Sequence, residues 1–206
     1  YLPLNELESN GIVESELDGK VVLNDQIHAA RYVQKLHTTS PAAFQSSPVG
    51  PIGWVLENQA HLLAKPFKRY LIAGVSESAK IRVARLTVSI DDDGEMVDYV
   101  TRAGFDGLVI EATGGGHVPK AMVNSLESAA QKMPVVFASR TRHGETMRST
   151  YDFPGAETSL IRHGLVPGGW LPGIKARLLL VLALGAGLTT EQIKLLFEDW
   201  RFPLAE

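Results

Sequence analysis

From residue 81 onward the apolar positions switch between two rhythms. Ile81-Arg82-Val83-Ala84-Arg85-Leu86, Gly107 to Ile110, Val135-Val136-Phe137-Ala138 and Leu165-Val166 are short apolar runs that read as strands. Met96, Val97 and Val100, and then Met122, Leu126, Ala129, Ala130 and Met133, recur at helical spacing. Residues 156–163 predict a short helix and 174–186 a very apolar one, while Ile193, Leu196, Phe197 and Trp200 line a last helix. Local chemistry marks the boundaries. Asp92 with Glu95 and Thr189 with Gln192 have capping-box spacing. Gly104 suits a helix end and Pro119 a first helical position. Strands alternating with helices over short links predict an α/β fold, a doubly wound parallel sheet with helices on both faces. Unbroken apolar strands agree with a sheet covered on both sides. Ligands of such sheets sit beyond the carboxyl ends of the strands, which singles out the loops 111–119 and 139–155.

The first part of the chain is less regular. Leu4 to Leu17 is polar, Lys20 to Asn24 reads as a buried strand, and residues 25–51 show no clear period. Ile52 to Leu56 and Ala60 to Ala64 flank Glu57-Asn58-Gln59 as the arms of a hairpin. Pro66 and Ser76-Glu77-Ser78 mark residues 65–80 as a linker, which predicts one unit over 1–64 and another over 81–206. An isolated strand at 20–24 would leave its backbone edges unpaired, so it is expected to pair with a neighbouring chain or with residues beyond these. The opening Tyr1-Leu2-Pro3, without Met, is read as the remainder of something longer.

Composition narrows the functional classes. Among 206 residues 45% are hydrophobic and the formal net charge is −3, so disorder is excluded. A chain of that charge offers no counter-charge for phosphates, and nucleic acid is not an expected partner. No run of apolar residues is long enough to span a bilayer, so no membrane partner is expected. The absence of Cys excludes a disulfide scaffold and leaves the compartment open.

Glu111-Ala112-Thr113-Gly114-Gly115-Gly116-His117-Val118-Pro119 joins a predicted strand to a predicted helix. Its glycines permit sharp turns and close backbone approach to a ligand, and a helix N-terminus can hold a carboxylate or phosphate. It lacks the Lys-Ser/Thr of a Walker A loop, and Pro119 fills the last position of a GxGxxG pattern. The bland reading is a tight turn without a ligand. Arg142-His143-Gly144-Glu145-Thr146 resembles the signature of histidine phosphatases, in which His is phosphorylated and Arg clamps the phosphate. That family carries the motif on its first strand, and too little chain follows it here; a polar surface loop is the simpler reading. The six His show no HExxH pattern, so no metal is expected. Asp91-Asp92-Asp93 reads as a helix cap rather than a calcium loop.

Two stretches together resemble the bacterial L-asparaginases. Val22-Leu23-Asn24-Asp25, Ile27 to Val33, Lys35, Thr38-Thr39, Phe44, Ser46 and Gly50-Pro51-Ile52-Gly53 look like the end of that family's N-terminal domain. Ala103 to Val109, the Gly114–Pro119 loop, Ser139-Arg140, Gly144, Lys175-Ala176-Arg177 and the closing helices look like its C-terminal domain. The resemblance implies a strand-and-hairpin fragment of the N-terminal domain followed by a C-terminal α/β domain. It implies a homo-oligomeric amidohydrolase converting asparagine to aspartate and ammonia, with no cofactor and no metal.

The family attacks with a Thr nucleophile, passes through an acyl intermediate and stabilises the oxyanion with backbone donors. Those Thr motifs have no counterpart here: Gly116 stands where Thr113-Gly114-Gly115 would need the reacting Thr, and there is no Thr-Asp pair. No catalytic residue is therefore assigned. The resemblance implies substrate-binding roles for His117, where the family has Asn, and for Glu157, both reaching a neighbouring subunit's site. Alternatives are a non-catalytic binding or assembly module and, through His143, a histidine phosphatase. From local signals alone, Glu157 would be a favourable charge at a helix N-terminus.

Overall fold

The computed structural model describes residues 19–64, 71–76, 80–141 and 143–201. The polar segment Leu4 to Leu17 lies outside them, as does part of the linker. The chain divides into two compact units, Tyr1–Tyr70 and Leu71–Glu206.

In the first unit β1 (Lys20–Leu23), β2 (Gln26–Ala29), β5 (Gly53–Leu56) and β6 (Gln59–Leu62) form an antiparallel sheet in the order β1-β2-β5-β6. A separate ribbon pairs β3 (Gln34–Lys35) with β4 (Phe44–Gln45). Both hairpins of the larger sheet turn on two left-handed residues, Asn24-Asp25 (φ 51° and 58°) and Glu57-Asn58 (φ 51° and 62°), the conformation that matches strand twist. The predicted hairpin is therefore present. The strand at Lys20 does not need a second chain: it pairs with Gln26–Ala29, inside the stretch that shows no clear period.

What hides β2 is His28, a polar residue that is only 1% exposed. Its Nδ1 lies 3.0 Å from Ser46 Oγ, and burial pushes its pKa down, which favours the neutral ring. Ile27, Ala29, Ile52 and Val55 form the small core, with Val22, Tyr32, Ala60 and Leu62 packed against it.

The second unit is an α/β layer structure. β7 (Val83–Thr87), β8 (Gly107–Ala112), β9 (Val135–Ser139) and β10 (Val166–Pro167) form a sheet in the order β10-β9-β8-β7, and all three pairings are parallel. The helices α1 (Glu95–Arg102), α2 (Val123–Ala130) and α3 (Glu157–Arg162) link consecutive strands. Val97, Val100, Leu126, Ala129 and Leu160 from them join Leu108, Ile110, Val135 and Phe137 in one core. On the other face α4 (Gly173–Gly185) and α5 (Thr190–Glu198) bring Ala176, Leu180, Ala183, Ile193 and Phe197 against Val109, Val136 and Ala138. Alternate residues of β8 and β9 thus feed opposite cores, which is why these strands are apolar throughout. Arg177 ties α4 to the sheet through its Nε, which donates to Val83 O at 2.8 Å. Burial pulls the neighbouring Lys175 ammonium down to about 8.

The helix starts separate into two cases. Thr189 caps α5, and the capping box with Gln192 is formed in both directions. Thr189→Ala should lower stability by about 1 kcal/mol, read as an earlier denaturant midpoint; an unchanged midpoint would contradict the cap. The expected box at Asp92 is not formed. The N-cap of α1 is Gly94 at φ 95°, where a Cβ would lie 2.8 Å from Ser125 Oγ and 3.3 Å from Met122 Cα. Close approach to α2 selects glycine there. The acids serve the preceding turn instead, Asp92 Oδ2 accepting from Ser89 N and Asp93 Oδ1 from Glu95 N.

Candidate substrate-binding site

The loop after β8 is a closed turn. The amides of Gly116 and His117 both donate to Thr113 O, and the Thr113 amide and hydroxyl both donate to His117 O. Gly114 and Gly116 sit at φ 50° and 118°, and a Cβ on Gly116 would come within 2.8 Å of the Phe137 ring. The Val118 amide donates to Gly155 O at 2.9 Å. The amides of Thr113, Gly116, His117 and Val118 are thus satisfied internally, and Pro119 stands before a 3₁₀ turn, Lys120–Met122, rather than inside α2. What the turn does is project His117.

The loop after β9 is fastened to this turn. Ser139 Oγ donates to Gly114 O at 2.6 Å, and the Met147 amide donates to Gly115 O at 2.7 Å. Arg148 pairs with Glu198 on α5, and Arg201 pairs with Glu145. Thr146 is buried, with its amide and hydroxyl on Gly169 O. The polar residues 143–146 thus act as loop fasteners: His143 is exposed, and its carbonyl accepts from Thr141 Oγ1. Arg142 lies outside the described residues. No phosphohistidine site is assembled from the described part of the motif, and the phosphatase reading is not favoured.

Glu157 opens α3, yet its side chain does more than favour the helix dipole. It is fully buried. Oε1 accepts from the amides of Thr150 at 2.8 Å and Tyr151 at 2.7 Å, and Oε2 lies 3.0 Å from His117 Nε2. Burial by itself would raise the Glu157 pKa, but the backbone amides together with His117 outweigh it and hold the carboxyl below its usual value. The two residues singled out from the resemblance, forty positions apart in the chain, are therefore in contact.

Two aromatic residues complete the cluster. Tyr151 and Phe153 meet the His117 ring edge-on, with centroids 5.2 and 5.3 Å away, and both remain 45% exposed. Sequence reasoning does not select them; the signal available is an aromatic pair in Tyr151-Asp152-Phe153-Pro154-Gly155, a segment rich in turn formers. Asp152 between them is held below its usual pKa by the Arg162 guanidinium and the Thr158 hydroxyl. The cluster as a whole offers a neutral-to-acidic, aromatic-walled patch beyond the strand ends, suited to a small polar ligand with an N–H or ammonium group.

Comparison with known proteins agrees with this architecture. The profile of the glutaminase/asparaginase C-terminal domain matches residues 82–197, and that of the asparaginase N-terminal domain matches residues 12–68. The "Probable L-asparaginase" of Deinococcus radiodurans is 33% identical over 186 residues, covering 88% of this chain and 56% of the relative. The L-asparaginase of Bacillus licheniformis is 28% identical over 167 residues, 81% of this chain and 51% of the relative. The L-asparaginase 2 of Escherichia coli strain K12 is 29% identical over 189 residues, 87% of this chain and 51% of the relative. The chain thus spans about half the length of the curated relatives it matches. With more than half of its residues within the C-terminal domain profile, the chain belongs to the bacterial L-asparaginase family.

Proposed function

We propose that the chain serves an L-asparaginase-type amidohydrolase, which converts asparagine to aspartate and ammonia as a homo-oligomer, by completing a neighbouring subunit's active site. In this reading residues 1–64 are the end of the N-terminal domain, 65–80 a linker and 81–206 the C-terminal domain. The observation that carries it is the contact between His117 and the fully buried Glu157 at the end of the sheet. The resemblance selects these two positions for substrate, and they form one cluster.

The chemistry is acyl transfer. A hydroxyl oxygen attacks the side-chain amide carbon, the C–N bond breaks, and nitrogen leaves as ammonia after gaining a proton; water then opens the ester to aspartate. The residues of this cluster take no covalent part. They hold the substrate's polar head so that the amide meets a nucleophile supplied by the N-terminal motifs, and orientation of this kind is worth several orders of magnitude in rate.

Ammonia release from asparagine, measured with these residues together with the N-terminal Thr motifs that supply the nucleophile, tests the activity. No release from asparagine or glutamine would remove the reading. In the active enzyme His117→Leu should raise KM by about tenfold with a smaller change in kcat, the signature of lost substrate binding. Unchanged KM would take His117 out of the site.

A further inference from the structure

The same cluster carries more information than a pair of binding residues. Both oxygens of the Glu157 carboxylate are engaged, Oε1 by two backbone amides and Oε2 by His117, and no part of the residue is exposed. Three donors occupy three of the carboxylate's roughly four acceptor positions, and the burial of the residue leaves His117 as the member of the pair open to a ligand. His117 is differently placed: its side chain keeps 22% of its exposure. Among the described residues its ring makes one hydrogen bond, through Nε2. The two nitrogens of an imidazole diverge, so the Nε2 that faces the carboxylate leaves Nδ1 turned away from it. A carboxylate accepts and does not donate, which requires the proton on Nε2.

We propose that Glu157 is a positioning residue that locks His117 in the Nε2–H tautomer, and that His117 Nδ1 is the acceptor that receives an amine or amide N–H of the ligand. This rests on the reading that the cluster faces substrate, and it refines that reading: Glu157 acts through His117. The edge contacts of Tyr151 and Phe153 hold the ring plane.

The arrangement makes an unusual demand on Glu157→Gln. The position of Oε1 faces two amide donors, so the variant must put its carbonyl oxygen there. Its NH₂ then lands where Oε2 was and donates to His117 Nε2. The imidazole proton is driven to Nδ1, and the acceptor offered to the ligand becomes a donor. His117→Asn does the opposite. Its NH₂ can donate to Glu157 while its carbonyl oxygen faces outward, which preserves the polarity of the site.

Nitrogen NMR of the histidine-labelled 206-residue chain reads the tautomer directly, on the alkaline side of ordinary histidine titration. The expected result is a bare Nδ1 in the wild type and a protonated Nδ1 in Glu157→Gln. A wild-type proton on Nδ1, or a folded Glu157→Gln variant with the wild-type tautomer, overturns the proposal. In the active enzyme with asparagine, Glu157→Gln should raise KM about tenfold, while His117→Asn should stay within a few-fold of wild type. His117→Asn as impaired as His117→Leu would overturn the acceptor role even if Glu157→Gln fails to fold. Absence of ammonia release from every variant, wild type included, would remove the asparaginase reading and leave the tautomer result standing.

Discussion

Glu157→Ala should lose about 3–5 kcal/mol of unfolding free energy, the scale for removing a buried acceptor that satisfies several donors at once. The carboxylate is fully buried and joins three donors from two loops, the Thr150 and Tyr151 amides and His117 Nε2. Truncation leaves these without an acceptor and opens a space behind them, and each buried donor left unpaired costs on the order of 1–3 kcal/mol. Glu157→Gln, which keeps the oxygen facing the two amides, should lose much less. Chemical denaturation separates them; equal losses would mean that the amide bonds contribute nothing.

The same residue has a pH signature. Its carboxyl is held below its usual pKa in the folded chain, so the folded state binds this proton less readily than the unfolded state. The stability it contributes is complete above the ordinary carboxylate range and disappears as pH falls through the lowered folded value. Wild type minus Glu157→Gln, measured from neutral pH downward, should therefore shrink with acid. A difference that stays constant across that range would contradict the lowered pKa.

The parts of the fold that are readable from sequence are those in which one rhythm dominates. β8 and β9 are continuous apolar runs because two cores claim their alternate faces, and the Thr189 box announces α5 because both partners lie in the same few residues. β2 is hidden by His28, whose burial depends on Ser46, eighteen positions away. The start of α1 departs from expectation because a local Asp–Glu spacing competes with a tertiary constraint, the approach of Gly94 to Ser125. The site follows the same division. His117 is visible as the first non-glycine after three glycines. Glu157 carries no local mark that separates it from a helix-opening acid, and only resemblance joins the two. Their contact depends on how the loops after β8 and β9 fold together, and no short window contains that.

That joining of loops can be broken at a single atom. Gly155→Ala should cost about 3 kcal/mol or more and should weaken ligand binding at His117. Gly155 has φ 94°, and a Cβ there would lie 2.2 Å from Val118 O, a backbone atom that cannot swing aside. Left-handed strain accounts for about 1–3 kcal/mol, and the overlap adds a similar amount because the chain must shift to relieve it. The shift would stretch the hydrogen bond from the Val118 amide to Gly155 O and move Phe153, whose carbonyl accepts from Ala156 N, away from the imidazole. Gly144→Ala supplies the comparison. It has nearly the same φ, 93°, but nothing lies within 4 Å of its Cβ position, so backbone strain acts alone and the loss should be only that strain, about 1–3 kcal/mol. The difference between the two variants isolates the contact of residue 155 with the glycine-rich turn. Equal losses in denaturation would mean that the two loops are not packed as closely as this, and that His117 is oriented by Glu157 without help from the backbone beside it.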